Sequence, residues 1–219
     1  MKGATPSFVI RTTILVLLAL GFAGAHGEAD RQVLKRDKFT IKVPSGWSPI
    51  PQKDIDELYD NQKAVAKAAN KEVPRLDCGF RLALNKDYPR ILVSKSDTER
   101  ITEDVLRQIG SEQWNAGLKN GTRTAEEHAN VISKVKPGSS TYDSKNQIIW
   151  VRTDAQAEGV GLLKSLAALK LTQTGYIVMA YAAQDADFEK YLTTFTRLAE
   201  EMQLDPSIRY SADKKGDSR

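Results

Sequence analysis

QIIWVRTDAQAEGVGLLKSLAALKLTQTGYIVMAYAAQDADFEKYLTTFTRLAEEMQL, residues 147–204, decides the fold. It opens on an apolar run, Ile148-Ile149-Trp150-Val151, with no polar alternation, which reads as a strand covered on both faces. A turn at Thr174-Gly175 precedes a second β-rich run, residues 176–181. Phe188, Tyr191, Leu192, Phe195, Leu198, Ala199 and Met202 then recur at helical spacing and predict one apolar stripe. Asp185 and Asp187 stand where N-caps belong, and their charge suits the positive end of a helix. Pro206 lies just past the stripe, where a helix has stopped. Such a helix needs an apolar surface to cover, and the preceding runs supply it if they are neighbouring strands.

Residues 162–171 admit two readings. Leu162, Leu166 and Leu169 share a face if the segment is helical, and its propensity is good. Leu169, Leu171 and Gln173 against Lys170 and Thr172 show strand alternation instead. The following turn and β-rich run favour a hairpin, and context often overrides propensity. A strand is the expectation and a helix the alternative.

Working outward to the start, Lys2 and Arg11 flank a short basic region, residues 14–25 are apolar, and Ala23-Gly24-Ala25 fits a cleavage site. Residues 1–25 are therefore expected to be a secretory signal peptide, with cleavage after Ala25 or Gly27. The apolar core is short for a membrane span, which takes about 20 residues; an uncleaved anchor is the alternative. No cysteine follows for a lipid anchor. The expected location is periplasmic or secreted. Removal of 1–25 leaves 194 of the 219 residues, with 30 lysines and arginines against 28 acids and a net charge of +2. Charges of both signs are interspersed, so no footprint for nucleic acid is present. A chain of this length buries a sizeable core without staples. Cys78, the single cysteine, has no partner for an intramolecular disulfide and reads as a small buried thiol.

Residues 26–37 read as a polar lead-in. Phe39, Ile41 and Val43 alternate with Thr40 and Lys42 in a half-buried strand, followed by a Pro44-Ser45-Gly46 turn and a Trp47 that folds back on the core. Residues 54–70 predict a first helix, with Ile55, Leu58, Tyr59, Val65, Ala66 and Ala69 inward. Strands are expected near 80–84 and 90–94. Ser96-Asp97-Thr98-Glu99 has the form of a capping box and predicts a helix carrying Ile101, Val105, Leu106 and Ile109 that fades by Gly117. Residues 118–146 are hard to read: Asn120-Gly121 signals a turn, Val131, Ser133 and Val135 suit an extended strand, and Pro137-Gly138 breaks it. Residues 205–219 read as a disordered tail.

The opening Phe39-Thr40-Ile41-Lys42-Val43-Pro44-Ser45-Gly46-Trp47 resembles the start of PsbP-like domains, and the ending of apolar strand, hairpin around Gly175-Tyr176, strand and helix to Met202 is similar too. The resemblance covers about residues 37–204. It implies an α/β/α sandwich with a central antiparallel sheet, a fold shared by extrinsic subunits of the photosynthetic oxygen-evolving complex, a Ran-binding import factor and exported bacterial proteins. It implies a non-enzymatic binding or assembly role and carries over no site residue.

Chemical motifs are weak. Gly159-Val160-Gly161-Leu162-Leu163-Lys164-Ser165 lacks the glycine that a phosphate loop places before its lysine. Glu126-Glu127-His128 is not a zinc-protease motif, and the only other histidine is His26. Cleavage after Ala25 would expose His26 at an amino terminus, where amine and imidazole suit copper with His128 as a third ligand; a surface histidine is the preferred reading. Asn120-Gly121-Thr122 is a glycosylation sequon and also a plain turn. Carboxylate pairs fit helix starts and surfaces.

The sequence thus predicts an exported single-domain α/β protein of the α+β type, 38–204, with a mostly antiparallel central sheet flanked by helices. Catalytic, cofactor-binding and metal residues are assigned to none of its positions. The expected role is non-catalytic binding or assembly with an envelope or secreted protein partner. The alternatives are a hydrolase of unrecognised type, which should show a concave pocket of converging titratable groups, and a small-ligand or lipid carrier, which needs a dry cavity. A scaffold should present a flatter patch.

Overall fold

Alternating and doubly apolar runs become strands here, and the amphipathic runs become the helices that cover them. The computed structural model describes residues 33–36, 38–68, 73–82, 88–97, 100–128 and 132–211. In chain order the elements are β1 (Val33–Lys35), β2 (Phe39–Lys42), β3 (Trp47–Pro49), α1 (Gln52–Ala68), β4 (Leu76–Leu82), β5 (Arg90–Ser96) and the single turn α2 (Glu103–Leu106). There follow α3 (Glu112–His128), β6 (Ile132–Asp143), β7 (Ile148–Ala157), β8 (Gly161–Leu171), β9 (Tyr176–Gln184), α4 (Asp185–Glu200), β10 (Gln203–Leu204) and a 3-10 turn, Pro206–Ile208.

Seven strands form one sheet in the order β3-β4-β5-β9-β8-β7-β6, and every neighbouring pair is antiparallel. A second sheet, β1-β2-β10, joins the start of the chain to its end. The central β9 is buried from Tyr176 to Ala183 because both its faces are covered. Ile177, Met179, Tyr181 and Ala183 face α4 and pack with Phe188, Phe195 and Leu198. Val178 and Ala180 face the other way, against Ile55 and Leu58 of α1 and Trp114 and Leu118 of α3. The result is the expected α/β/α sandwich.

The ambiguous segment 162–171 is a strand, paired along its length with β7 and β9. Ile148, Ile149 and Val151 are fully buried as expected, and Trp47 is buried. Cys78 is also buried as expected, within β4.

Several local expectations are corrected. Ser96 is the last residue of β5, so the 96–99 capping box does not open a helix; Thr98 and Glu99 lie outside the described residues. The helix carrying Val105 stops after one turn, and Gly110, at φ +82°, turns the chain. Ser111 opens α3, its Oγ accepting from the N–H of Trp114 at 3.2 Å. That helix runs straight through Gly117 and Asn120-Gly121, so neither is a break. Pro137-Gly138 does not end its strand; it lies in β6, an edge strand with register shifts on either side, where a missing N–H is tolerated. Asp185 and Asp187 are not caps: they lie in the first turn of α4, after Gln184, and contribute only charge. Part of the polar lead-in, residues 33–35, pairs with β2. The tail expectation is likewise corrected for 205–211, which fold onto the sheet; residues 212–219 lie outside the described residues, as do 1–25.

Candidate functional site

The sheet end where β8 stops and β7 and β9 start gathers segments from both ends of the chain. After Glu200 the chain leaves α4, buries Met202 and pairs β10 with β2. Asp205 then holds the 3-10 turn, accepting from the N–H of Ser207 at 2.8 Å and from its hydroxyl at 2.6 Å. The turn docks on the β8–β9 connection: Gln173 N–H donates to the Ile208 carbonyl at 2.8 Å, and Arg209 bridges Thr172. Ile208 and Tyr210 are buried by it. On the other side Asp143 organises the β6–β7 turn, accepting from the backbone N–H groups of Lys145 and Asn146 at 2.9 and 3.1 Å.

These segments enclose a groove of about 830 Å³. Its cations are Arg36, Lys38, Lys145, Lys170 and Arg209. Its carboxylates are Glu200, Glu201 and Asp205. Lys170 is half-buried; burial pushes its ammonium pKa down, with the Asp143 and Glu200 charges pulling back. Among the described residues it has no ion pair. Lys38 Nζ donates to Ser207 Oγ at 3.4 Å, and Arg209 Nε donates to the Leu204 carbonyl at 3.3 Å. The two Ser207 bonds hold the Asp205 carboxyl below its usual range. A folded-state pKa below the unfolded one contributes stability above the unfolded value that is lost as pH falls through the folded one. Asp205→Asn is therefore expected to lower Tm at neutral pH, with the gap to wild type narrowing as the pH drops below 3.8, read from thermal melts across pH.

Beside the groove, Arg36 also lies close enough to Cys78 for its charge to favour the thiolate. Burial pushes the Cys78 thiol up to about 12, and burial also raises the adjacent Asp77 carboxyl, against a Lys95 N–H bond and the charges of Arg36, Lys95 and Arg75. A thiol held neutral and buried is a poor nucleophile. Titration with an aromatic disulfide reagent at pH 8 should find no reactive thiol in the native chain and one per chain in denaturant.

The motifs weighed in the sequence fall elsewhere. Gly159 and Gly161 take positive φ in the β7–β8 hairpin, and Lys164 Nζ pairs with Asp185 Oδ1 at 2.5 Å rather than facing a loop. The sequon lies inside α3, with Thr122 buried and its hydroxyl donating to the Lys119 carbonyl at 2.8 Å. His26 and the His128 side chain lie outside the described residues. Among the described residues no group of three metal-ligating side chains converges, and no helix is long and apolar enough to cross a membrane. The charged lining of the large groove is not the dry cavity of a lipid carrier. It is concave rather than flat and lined by titratable groups, the shape expected for the hydrolase alternative and not for a scaffold. Sequence reasoning missed this site because its tail wall was read as unstructured.

No family model matches the chain, and no curated protein matches it. Among solved structures the chain is similar to cyanobacterial PsbP (CyanoP) from Synechocystis sp. PCC 6803, determined in solution. The match has a TM-score of 0.53 at 13% identity and covers 84% of this chain and 98% of that one. The fold is PsbP-like.

Proposed function

We propose, from this PsbP fold and its sheet-end groove, that the chain is a non-catalytic binding or assembly protein of the cell envelope, exported by residues 1–25, which holds a protein partner in that groove. The observation that carries the reading is the groove itself: a concavity of about 830 Å³ lined by five cations and three carboxylates, within the range of ordinary ligand sites. Both edges of the main sheet are poor places for a partner strand. β3 has three residues, and β6 is bulged and carries Pro137 and exposed Lys134 and Lys136. The groove is also larger than the concavity of about 400 Å³ between Val33, Pro44 and Leu198. Crosslinking and capture from the native envelope should return one stoichiometric protein partner; a chain that stays monomeric there contradicts the reading.

The same concavity and the depressed Lys170 ammonium suit a hydrolase, the alternative function. A hydrolase would turn over an ester or peptide substrate at a rate abolished by Lys170→Met. A binding protein leaves such substrates intact.

A further inference from the structure

We infer that the groove is a site for carboxylate-rich anions, centred on Lys170 and Arg209; this rests on the reading of the groove as the binding surface. Three features converge on that chemistry. First, the lining carries five cations against three carboxylates, and one of those carboxylates, Asp205, is already engaged by Ser207. Second, Lys170 is half-buried with no ion pair among the described residues. The nearby Asp143 and Glu200 charges offset only part of the burial cost of that ammonium, and an incoming anion restores more of it. Third, Arg209 is tied through Nε to the Leu204 carbonyl. Its guanidinium is thereby held, while the two terminal amino groups remain to form the planar fork that matches a carboxylate. Lys38, steadied by Ser207, adds a point charge beside it.

The carboxylates of the lining limit the ligand. Glu200 and Glu201 stand at the C-terminal end of α4, whose backbone adds negative partial charge. The groove fits a short ligand whose carboxylates reach Lys38, Lys170 and Arg209. Two sources supply it: a free di- or tricarboxylic acid, or an acidic peptide segment of the protein partner.

Calorimetric titration of the whole chain at low ionic strength with citrate, hexaglutamate and hexaglutamine separates them. One site per chain is expected for citrate, hexaglutamate or both, and none for hexaglutamine. Lys170→Gln and Arg209→Gln should each weaken binding about tenfold, while Lys136→Gln, exposed on β6, leaves it unchanged. Citrate alone binding assigns a free acid; hexaglutamate alone assigns a peptide. No binding by either, or binding unchanged in Lys170→Gln, overturns the proposal. In that case an envelope partner captured equally by wild type and Lys170→Gln would leave the function proposed above standing. Anion binding without any captured partner would instead leave the site and remove the protein-binding role.

Discussion

Gly175→Ala is expected to destabilise the chain by about 3 kcal/mol or more, the range of severe overpacking against backbone. A Cβ at this position would lie 2.0 Å from the Ser96 carbonyl oxygen and 2.9 Å from its carbon. Neither atom can rotate away, because Ser96 is itself in register with Tyr176 across β5 and β9. The approach is fixed from the other side as well: Thr174 Oγ1 donates to Asp97 Oδ1 at 2.9 Å, and Gly175 N–H donates to Thr172 Oγ1 at 3.0 Å. Gly159→Ala is the matched control. Its φ of +71° opposes a side chain, yet nothing lies within 4 Å of the added carbon. That change should cost about 1–2 kcal/mol, the left-handed penalty alone. Urea midpoints of the two variants give the comparison.

The second large effect is expected at Phe195. This ring is fully buried at the centre of α4, stacked on Tyr181 at 5.3 Å and met edge-on by Trp150 at 6.1 Å. Tyr181 also stacks on Phe188, and its hydroxyl donates to the Phe188 carbonyl at 3.0 Å. Phe195 is thus the hub through which the helix grips β7 and β9. Phe195→Ala should cost about 3–5 kcal/mol, since the rigid strands below cannot collapse into the space. Glu189→Ala on the same helix removes only an exposed pair with Arg152 at 3.5 Å. It should cost less than about 1 kcal/mol. Because α4 ends in the groove wall, Phe195→Ala should also weaken anion binding in titrations where Glu189→Ala does not.

The legible parts of the sequence were those where one periodicity holds over a whole element. The stripe from Phe188 to Ala199 and the doubly covered run at Ile148 are of this kind, and they gave the sandwich. Legibility failed where tertiary context overrides a local signal. Asn120-Gly121 is a turn signal, but Trp114, Leu118 and Thr122 recur every four residues and are all buried. That spacing holds the helix through two glycines. In β6 the bulges shift the alternation, so the strand pattern at Ser133 and Val135 does not carry past Pro137, which an edge position accommodates. The groove was invisible for a different reason. Its walls come from residues 36, 38–40, 145–147, 170, 200–206, 209 and 210, which no spacing rule connects. A faint signal did exist in the tail: Asp205-Pro206-Ser207 is a turn sequence, and Ile208 and Tyr210 alternate after it.

The fold places a concavity with more cations than carboxylates at one end of its sheet, and the proposed binding role stands on that concavity being the contact surface. A photo-crosslinking residue placed at Lys145, on the groove rim, and in a second chain at Glu158, in the hairpin at the far end of β7, tests this in living cells. One partner joined in high yield from position 145 and little from position 158 is the predicted result. Equal yields at the two ends, or a partner joined only from position 158, would contradict it.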